Sequence, residues 1–228
     1  MPKLVAHFHT HNDIRNDFKN NLAQAAQWAD EVIVTDNHST DGTDRHAVRA
    51  GALVVRSVRP VSMATLQYAG LMAVNRQCQS WDWVVNLYGD EYLSEIPDLD
   101  ALNRHHRFLA ARLDVHYLWN LDYKLVKLDD DWKPISEVRM YRYMSGEHFA
   151  DLRKRDDHPT GHISHTLPMY VQDAERNEQI IYGDIDVFSQ KYALDRTRQH
   201  KRHQNMAPVK YKDAAYSYHL LVPYNRAV

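Results

Sequence analysis

Strand-like and helix-like segments alternate along the first ninety residues of this 228-residue chain. The apolar runs have the composition of buried strands, and they cover residues 4–8, 32–34, 53–55 and 83–87. Between them, hydrophobic positions recur at three- and four-residue spacing, which is typical of helices with one buried face. Strands that alternate with helices favour right-handed crossovers and a mostly parallel central sheet with helices on both faces. The sequence therefore predicts an α/β fold.

The composition is that of an ordinary globular protein, with 44% hydrophobic and 25% charged residues. Its 28 basic residues nearly balance its 30 acidic ones, so the total charge gives no argument for binding nucleic acid or a membrane. Cys78 is the only cysteine, which favours a reducing compartment. No apolar run approaches the roughly 18 residues that span a bilayer, and the first residues lack the pattern of a signal peptide. We therefore expect a cytoplasmic protein without a transmembrane segment.

Polar residues follow three of the predicted strands at the points where those strands end. Residues 9–12 follow the first strand, residues 36–43 the second and residues 89–91 the fourth. Parallel strands end at the same edge of a sheet, and ligands of such sheets bind beyond the carboxyl ends. The spacing therefore predicts a binding site at this edge.

The alternation of strands and helices ends after residue 92. Residues 97–106 and 186–203 have the pattern of helices, and residues 108–118 and 138–143 have that of strands. The sequence contains no internal repeat, low-complexity tract or interdomain linker. We therefore expect one domain.

Three segments share their order and spacing with a known family. The first is Thr10-His11-Asn12-Asp13, the second is ADEVIVTDNHSTDGT at residues 29–43, and the third is DWVVNLYGDE at residues 82–91. They resemble, in turn, the end of strand one, the strand-two signature and the DxD region of the family 2 glycosyltransferases. Together they cover about the first ninety residues.

The resemblance implies the GT-A fold, a Rossmann-like α/β sheet with a smaller α+β region on the acceptor side. It implies that residues 1–95 form the nucleotide-sugar-binding half and residues 96–228 the acceptor and catalytic half of the same single domain. The implied reaction moves a sugar from a nucleoside-diphosphate sugar to an acceptor hydroxyl. Inversion and retention at the anomeric carbon both stay open.

The donor-binding residues implied by the resemblance lie in the three segments. Asp36 is expected to accept hydrogen bonds from the base or the ribose of the nucleoside. Ser39 and Asp41 either contact the donor or organise the turn and cap the following helix. The complete set is Thr10, Asn12, Asp36, Ser39, Asp41, Tyr88 and Gly89.

Asp90 stands where the last carboxylate of the DxD motif would stand. The resemblance makes it a ligand of Mg²⁺ or Mn²⁺, hard cations that prefer oxygen ligands and neutralise a diphosphate. Tyr88 replaces the first aspartate of the motif, and a neutral phenol is a poor ligand for such a cation. Glu91 is either a second ligand or a salt-bridge partner, and His165 is a further candidate ligand.

A catalytic base is expected from the second half of the chain. A histidine near its free pKa of about 6.5 can deprotonate an acceptor hydroxyl at neutral pH. The candidate catalytic residues, alongside Asp90, are His165, His162 and Asp157.

The acceptor has three alternatives, which are a glycan, a lipid-linked saccharide and a nucleic acid. Residues 191–212 contain seven basic residues and one acidic residue, Asp195. Such a segment either contacts phosphates of the donor or of a nucleic acid, or it is a solvated helix face.

Two other functions compete with sugar transfer. His7, His9 and His11 alternate, which places them on one face of a strand. Together with Asp13 and Asp36 they favour a metal-dependent hydrolase as the first alternative. A non-catalytic nucleotide-sugar-binding module is the second, because Tyr88 has replaced a carboxylate of the motif.

Overall fold

The computed structural model describes residues 2–104, 106–120, 125–127, 135–145, 167–168, 170–171, 174, 177–190 and 221–223. The strands are β1 (Leu4–Thr10), β2 (Glu31–Asp36), β3 (Leu53–Arg56), β4 (Trp83–Tyr88), β5 (Glu91–Leu93), β6 (Ala110–Asn120), β7 (Leu125–Lys127), β8 (Ile135–Arg142), β9 (Ile180–Ser189) and β10 (Leu221–Pro223). The helices are α1 (Phe18–Trp28), α2 (Thr43–Arg49), α3 (Met63–Gln77) and α4 (Leu99–Arg104), and a 3₁₀ turn covers Ile14–Asn16. No helix in this part of the chain is long and apolar enough to cross a membrane.

Strands β1 to β4 form the parallel half of the sheet, in the order β3-β2-β1-β4. Strand β8 pairs antiparallel with β4 and is followed by β6, β7 and β10. Strand β9 lies parallel to β6 and antiparallel to β5. The predicted α/β class with a Rossmann-like parallel half is therefore confirmed, and strands of the second half extend the same sheet through antiparallel pairs and one parallel pair, β6 with β9.

Helices cover both faces of the parallel half. Side chains alternate between the faces along each strand, so these apolar strands present apolar side chains on both faces. Helices α1 and α2 cover the face whose buried side chains include Leu4, Ala6, Phe8, Phe18, Leu22, Val34 and Ala47. Helix α3 covers the opposite face, whose buried side chains include Val5, Ile33, Leu71, Val74 and Val84. Full burial of one such Leu, Ile or Phe side chain stabilises the fold by about 1.5–3 kcal/mol.

The α3 face also carries a buried histidine, His7. Its Nδ1–H donates to Asn86 Oδ1 at 3.1 Å, and its Nε2 accepts a hydrogen bond from the Thr35 hydroxyl at 2.8 Å. Helix α3 meets this imidazole at Gly70, where a Cβ would lie 2.5 Å from His7 Cε1. Burial lowers the pKa of His7 to about 4, so the ring is neutral at physiological pH.

In the described part of the second half, one predicted helix is a strand instead. The sequence predicts a helix over residues 186–203, but residues 186–189 belong to β9, whose backbone pairs with β6 and β5. Pairing with two neighbouring strands overrides the helical periodicity of the segment taken alone. Residues 191–203 lie outside the described residues. The helix predicted at residues 97–106 and the strands predicted at 108–118 and 138–143 are confirmed as α4, β6 and β8, with shifted boundaries.

Replacing His7 with glutamine is expected to make stability less sensitive to acid. The unfolded chain binds a proton at His7 near its ordinary pKa, whereas the folded protein binds it only near pH 4, so wild-type stability falls as the pH falls through this window. At the lower end the loss due to His7 is about 3 kcal/mol. Urea unfolding at a series of pH values measures it as the difference between wild type and His7→Gln.

The control for this prediction is His46→Gln on α2. His46 is only partly buried, so the variant should follow the wild-type pH dependence much more closely. Identical pH profiles for wild type and His7→Gln would contradict a neutral, buried His7.

Candidate functional site

A buried carboxylate, that of Asp36, joins the carboxyl ends of three parallel strands. Asp36 ends β2 and is 0% exposed. Its Oδ1 accepts a hydrogen bond from the Thr10 hydroxyl of β1 at 3.0 Å, and the Arg56 side chain of β3 lies 3.8 Å from its Oδ2. The Ser39 N–H donates to Oδ2 at 2.8 Å, and the Ser39 hydroxyl donates to Oδ1. Both oxygens are therefore used inside the protein.

This geometry changes the expected role of Asp36. The resemblance implies direct contact with a nucleoside, but in this conformation the carboxylate has no exposed surface with which to make one. The hydrogen bonds instead support a role in ordering the loop at residues 36–43. The same conclusion applies to Thr10, because its side chain is buried and its hydroxyl donates to Asp36.

Asn12 and Asp41 tie the loop after β1 to the loop after β2. Asn12 has a left-handed backbone with φ 56°, and its N–H donates to Ser39 Oγ at 2.8 Å. Asp41 accepts hydrogen bonds from the Thr43 N–H and the Ile14 N–H, both at 3.0 Å. Of the two alternatives predicted for Ser39 and Asp41, the hydrogen bonds match the one in which they organise the turn.

The third segment meets the first where Gly89 contacts Asp13. A Cβ on residue 89 would lie 2.5 Å from Asp13 Oδ2, so this close approach requires glycine. The Asp13 carboxylate accepts hydrogen bonds from the His11 N–H and the Asn16 amide, both at 2.8 Å. Burial raises the pKa of Asp13 to about 6, and the charge of Asp90 acts in the same direction. The sequence indicates Asp13 only as a carboxylate of the hydrolase alternative, and not among the donor-binding or catalytic residues, although it ends the first of the three matching segments.

Asp90 is 8% exposed, and the surrounding chain holds it from two sides. The Ser189 hydroxyl donates to its Oδ2 at 3.3 Å, and the Gln190 N–H donates to its carbonyl oxygen at 2.8 Å. The Asn21 amide of α1 donates to the Gly89 carbonyl at 3.0 Å. Helix α1 and the end of β9 therefore fix the Gly89–Asp90 turn.

Glu91 forms a salt bridge with Arg139 of β8. The Arg139 Nη2 lies 3.0 Å from Glu91 Oε1, and Glu91 Oε2 accepts a hydrogen bond from the Tyr88 N–H at 2.9 Å. Burial raises the pKa of Glu91 to about 7, and the Arg139 charge partly opposes this shift. Burial also raises the pKa of Tyr88, so its side chain is a neutral phenol. Of the two alternatives predicted for Glu91, the contacts match the salt-bridge partner.

The described residues contain no group of three or more His, Cys, Asp or Glu side chains that could hold a metal ion. Asp13 and Asp90 are two acidic side chains at the edge beyond β1 and β4. The further candidates His165, His162 and Asp157 lie outside the described residues, as does the basic segment 191–212. Any additional ligand or base from the second half therefore stays a prediction.

The histidines of β1 do not form a metal site, so the structure contradicts the basis of the hydrolase alternative. His7 and His9 are buried beneath α3, with ring centroids 4.3 Å apart, and His7 is hydrogen-bonded to neutral side chains. His11 lies beyond the strand, where its Nδ1–H donates to the Asn37 carbonyl at 2.7 Å. Among the described residues, these histidines belong to no group that could hold a metal ion.

Comparison with known proteins identifies a glycosyltransferase relative, whereas no family model matches the chain. An uncharacterized glycosyltransferase of Rickettsia typhi is 35% identical over 100 residues, which cover 42% of this chain and 32% of the relative. The chain thus spans about a third of the length of that protein. This match confirms the resemblance to glycosyltransferases that the sequence segments indicate.

Similar solved structures include two synthases. Glucosyl-3-phosphoglycerate synthase from Mycobacterium tuberculosis, in complex with Mn²⁺ and UDP-glucose, is 21% identical with a TM-score of 0.38, over 51% of this chain and 44% of that one. Mannosyl-3-phosphoglycerate synthase from Rubrobacter xylanophilus is 15% identical with a TM-score of 0.36, over 51% of this chain and 40% of that one.

Asp36→Asn is expected to lower the free energy of unfolding by about 2 kcal/mol, because an amide cannot accept charge-assisted hydrogen bonds at both of its terminal atoms. Asp30→Asn is the control, since Asp30 is exposed and accepts a hydrogen bond of 2.8 Å from the Leu4 N–H. Urea unfolding compares the two variants. Equal losses would contradict the special role of Asp36 in joining the strand ends.

Proposed function

We propose that this chain is a glycosyltransferase that moves a sugar from a nucleoside-diphosphate sugar to an acceptor hydroxyl. One observation carries the proposal: Asp36 joins the loops after β1 and β2, and the turn after β4 brings Asp90 to the same edge. Ligands of parallel α/β sheets bind beyond this edge. In this proposal residues 1–95 form the nucleotide-sugar-binding half and residues 96–228 the acceptor and catalytic half of the same domain.

The donor is proposed to lie across the loops that follow β1, β2 and β4. The nucleoside rests on the 36–43 loop that Asp36 orders, and the diphosphate lies at the turn formed by residues 88–90. Asn12, Tyr88 and Gly89 contact the donor in this arrangement. The residues that contribute by shaping the loops are Thr10, Asp36, Ser39 and Asp41.

Mg²⁺ or Mn²⁺ is the proposed cofactor, held by Asp90 with Asp13 beside it. Carboxylate oxygens are the ligands that these hard cations prefer, and a bound cation would neutralise the charge on the diphosphate leaving group. Neutral Tyr88 and salt-bridged Glu91 are poor ligands. The remaining protein ligands are therefore proposed to come from the second half, where His165 is the candidate.

In the proposed reaction the acceptor oxygen attacks the anomeric carbon. The bond from that carbon to the diphosphate oxygen breaks, and its electron pair leaves with the nucleoside diphosphate. The hydroxyl proton passes to a base, for which the candidates are His165, His162 and Asp157. The proposed acceptors are a glycan, a lipid-linked saccharide, or a nucleic acid bound through residues 191–212.

A screen of nucleotide sugars tests this function without a known acceptor, because transferases of this kind can pass the sugar to water. We expect one class of donor to raise the melting temperature and to be hydrolysed by the wild-type protein. Asp90→Asn should lower this hydrolysis roughly 100-fold, since it removes an electrostatic group at the leaving diphosphate. Chelation should lower it as well, and added Mn²⁺ or Mg²⁺ should restore it.

Asp82→Asn is the matched control for Asp90→Asn. Asp82 is also buried, and it lies just before β4, where its carboxylate accepts the N–H groups of Lys3 and Gln79 at 2.8 Å. It should lower stability and leave hydrolysis by the folded protein unchanged. Hydrolysis by Asp90→Asn at the wild-type rate would contradict the proposal. Donor binding without hydrolysis or transfer in the wild type would favour the non-catalytic binding module that Tyr88 suggests.

A further inference from the structure

Arg139 carries a buried positive charge next to the proposed donor edge. It lies on β8 and is 6% exposed. A buried charge destabilises a protein unless it is paired, because it has lost its hydration. Two carboxylates pair with this guanidinium, Glu91 at 3.0 Å and Glu137 at 3.1 Å.

The same guanidinium contacts the turn after β4 in two ways. Through Glu91 it is linked to the backbone, because Glu91 Oε1 pairs with Arg139 while Glu91 Oε2 accepts the Tyr88 N–H. It also lies over the Tyr88 ring, with its central carbon 5.2 Å from the ring centroid, which is within range of a cation–π interaction. Both the backbone and the side chain of Tyr88 are therefore held by one arginine.

We propose that Arg139 is a positioning residue that fixes the turn formed by residues 88–91 and, through it, the Asp90 carboxylate. Its effect on sugar transfer rests on the proposed function, whereas its effect on the turn does not. Tyr88 then has a defined role in place of the missing motif carboxylate. Its ring packs against Arg139, and this contact holds the turn from which Asp90 projects.

Arg142 provides a matched control on the same strand. It is 1% exposed and lies 4.5 Å from the Trp83 ring, at the opposite end of β4 from Tyr88. Its guanidinium donates to the carbonyl oxygens of Leu102 at 3.0 Å and Phe108 at 3.1 Å. Arg142 is thus also a buried arginine over an aromatic ring, but its hydrogen bonds within the described residues make no contact with the turn.

The first test measures amide hydrogen exchange and needs no substrate. Arg139→Met is expected to speed exchange of the Tyr88 amide at least tenfold, because Glu91 loses the partner that orients it. Arg139→Lys should fall between this variant and wild type, since lysine keeps the charge and loses the planar fork. Arg142→Met should leave Tyr88 exchange at the wild-type rate even though it lowers global stability. If the Tyr88 amide exchanged at the wild-type rate in both folded Arg139 variants, the proposal would be overturned.

The second test uses the donor found by the nucleotide-sugar screen. Arg139→Met should lower kcat at least tenfold, with a smaller change in KM, and Arg139→Lys should recover part of the loss. Arg142→Met should keep both constants. Because Arg139 acts on the turn partly through Glu91, Arg139→Met should lower kcat less in a Glu91→Gln background than in wild type, and fully additive losses would overturn this route.

The two tests separate failure of this inference from failure of the proposed function. A wild-type protein that turns over no nucleotide sugar contradicts the proposed function, and the exchange of Tyr88 still decides whether Arg139 fixes the turn. An active wild type with unchanged kcat in Arg139→Lys and Glu91→Gln contradicts the positioning role alone. Arg139→Lys and Glu91→Gln also test the positioning role if Arg139→Met does not fold.

Discussion

The ends of the three parallel strands β1, β2 and β3 depend on one buried carboxylate. Asp36 accepts hydrogen bonds from Thr10 and Ser39 and lies beside Arg56, so one side chain links all three strand ends. Arg56 also pairs with Asp44 of α2 at 3.2 Å, which extends the link to the next helix. A buried carboxylate satisfied in this way orders the surrounding loops, because loss of any partner would leave a charge without compensation.

The sheet changes character along its strands on the face covered by α3. Near the amino ends this face is apolar, with Val5 and Val84 buried against the helix. One step further it becomes polar, where His7 bonds to its neighbours on both adjacent strands. The polar layer is matched by Gly70, which lets α3 approach the imidazole. Polarity thus increases toward the edge where the loops converge, and this is where a polar ligand can be bound without disturbing the apolar core.

Tyr88 stands where the resemblance expects the first aspartate of a DxD motif, and a buried group of charged side chains surrounds it. Tyr88 is held by Arg139, and Arg139 is neutralised by Glu91 and Glu137, so the turn after β4 is built on a buried ionic network. In the loop after β1, Asp13 lies near enough to Asp90 for the Asp90 charge to add to the rise in the Asp13 pKa that burial causes.

Sequence alone determined the α/β class, the parallel first half and the edge at which the polar segments meet, because local periodicity and strand order follow from nearby residues. Tertiary structure decided what the individual carboxylates do. Asp36 points inward and Glu91 pairs with Arg139, 48 positions away, so neither role is visible in the local pattern. Pairing with β5 and β6 likewise made residues 186–189 part of a strand where the segment by itself predicts a helix. Burial and distant partners set these outcomes, and both arise only when the chain has folded.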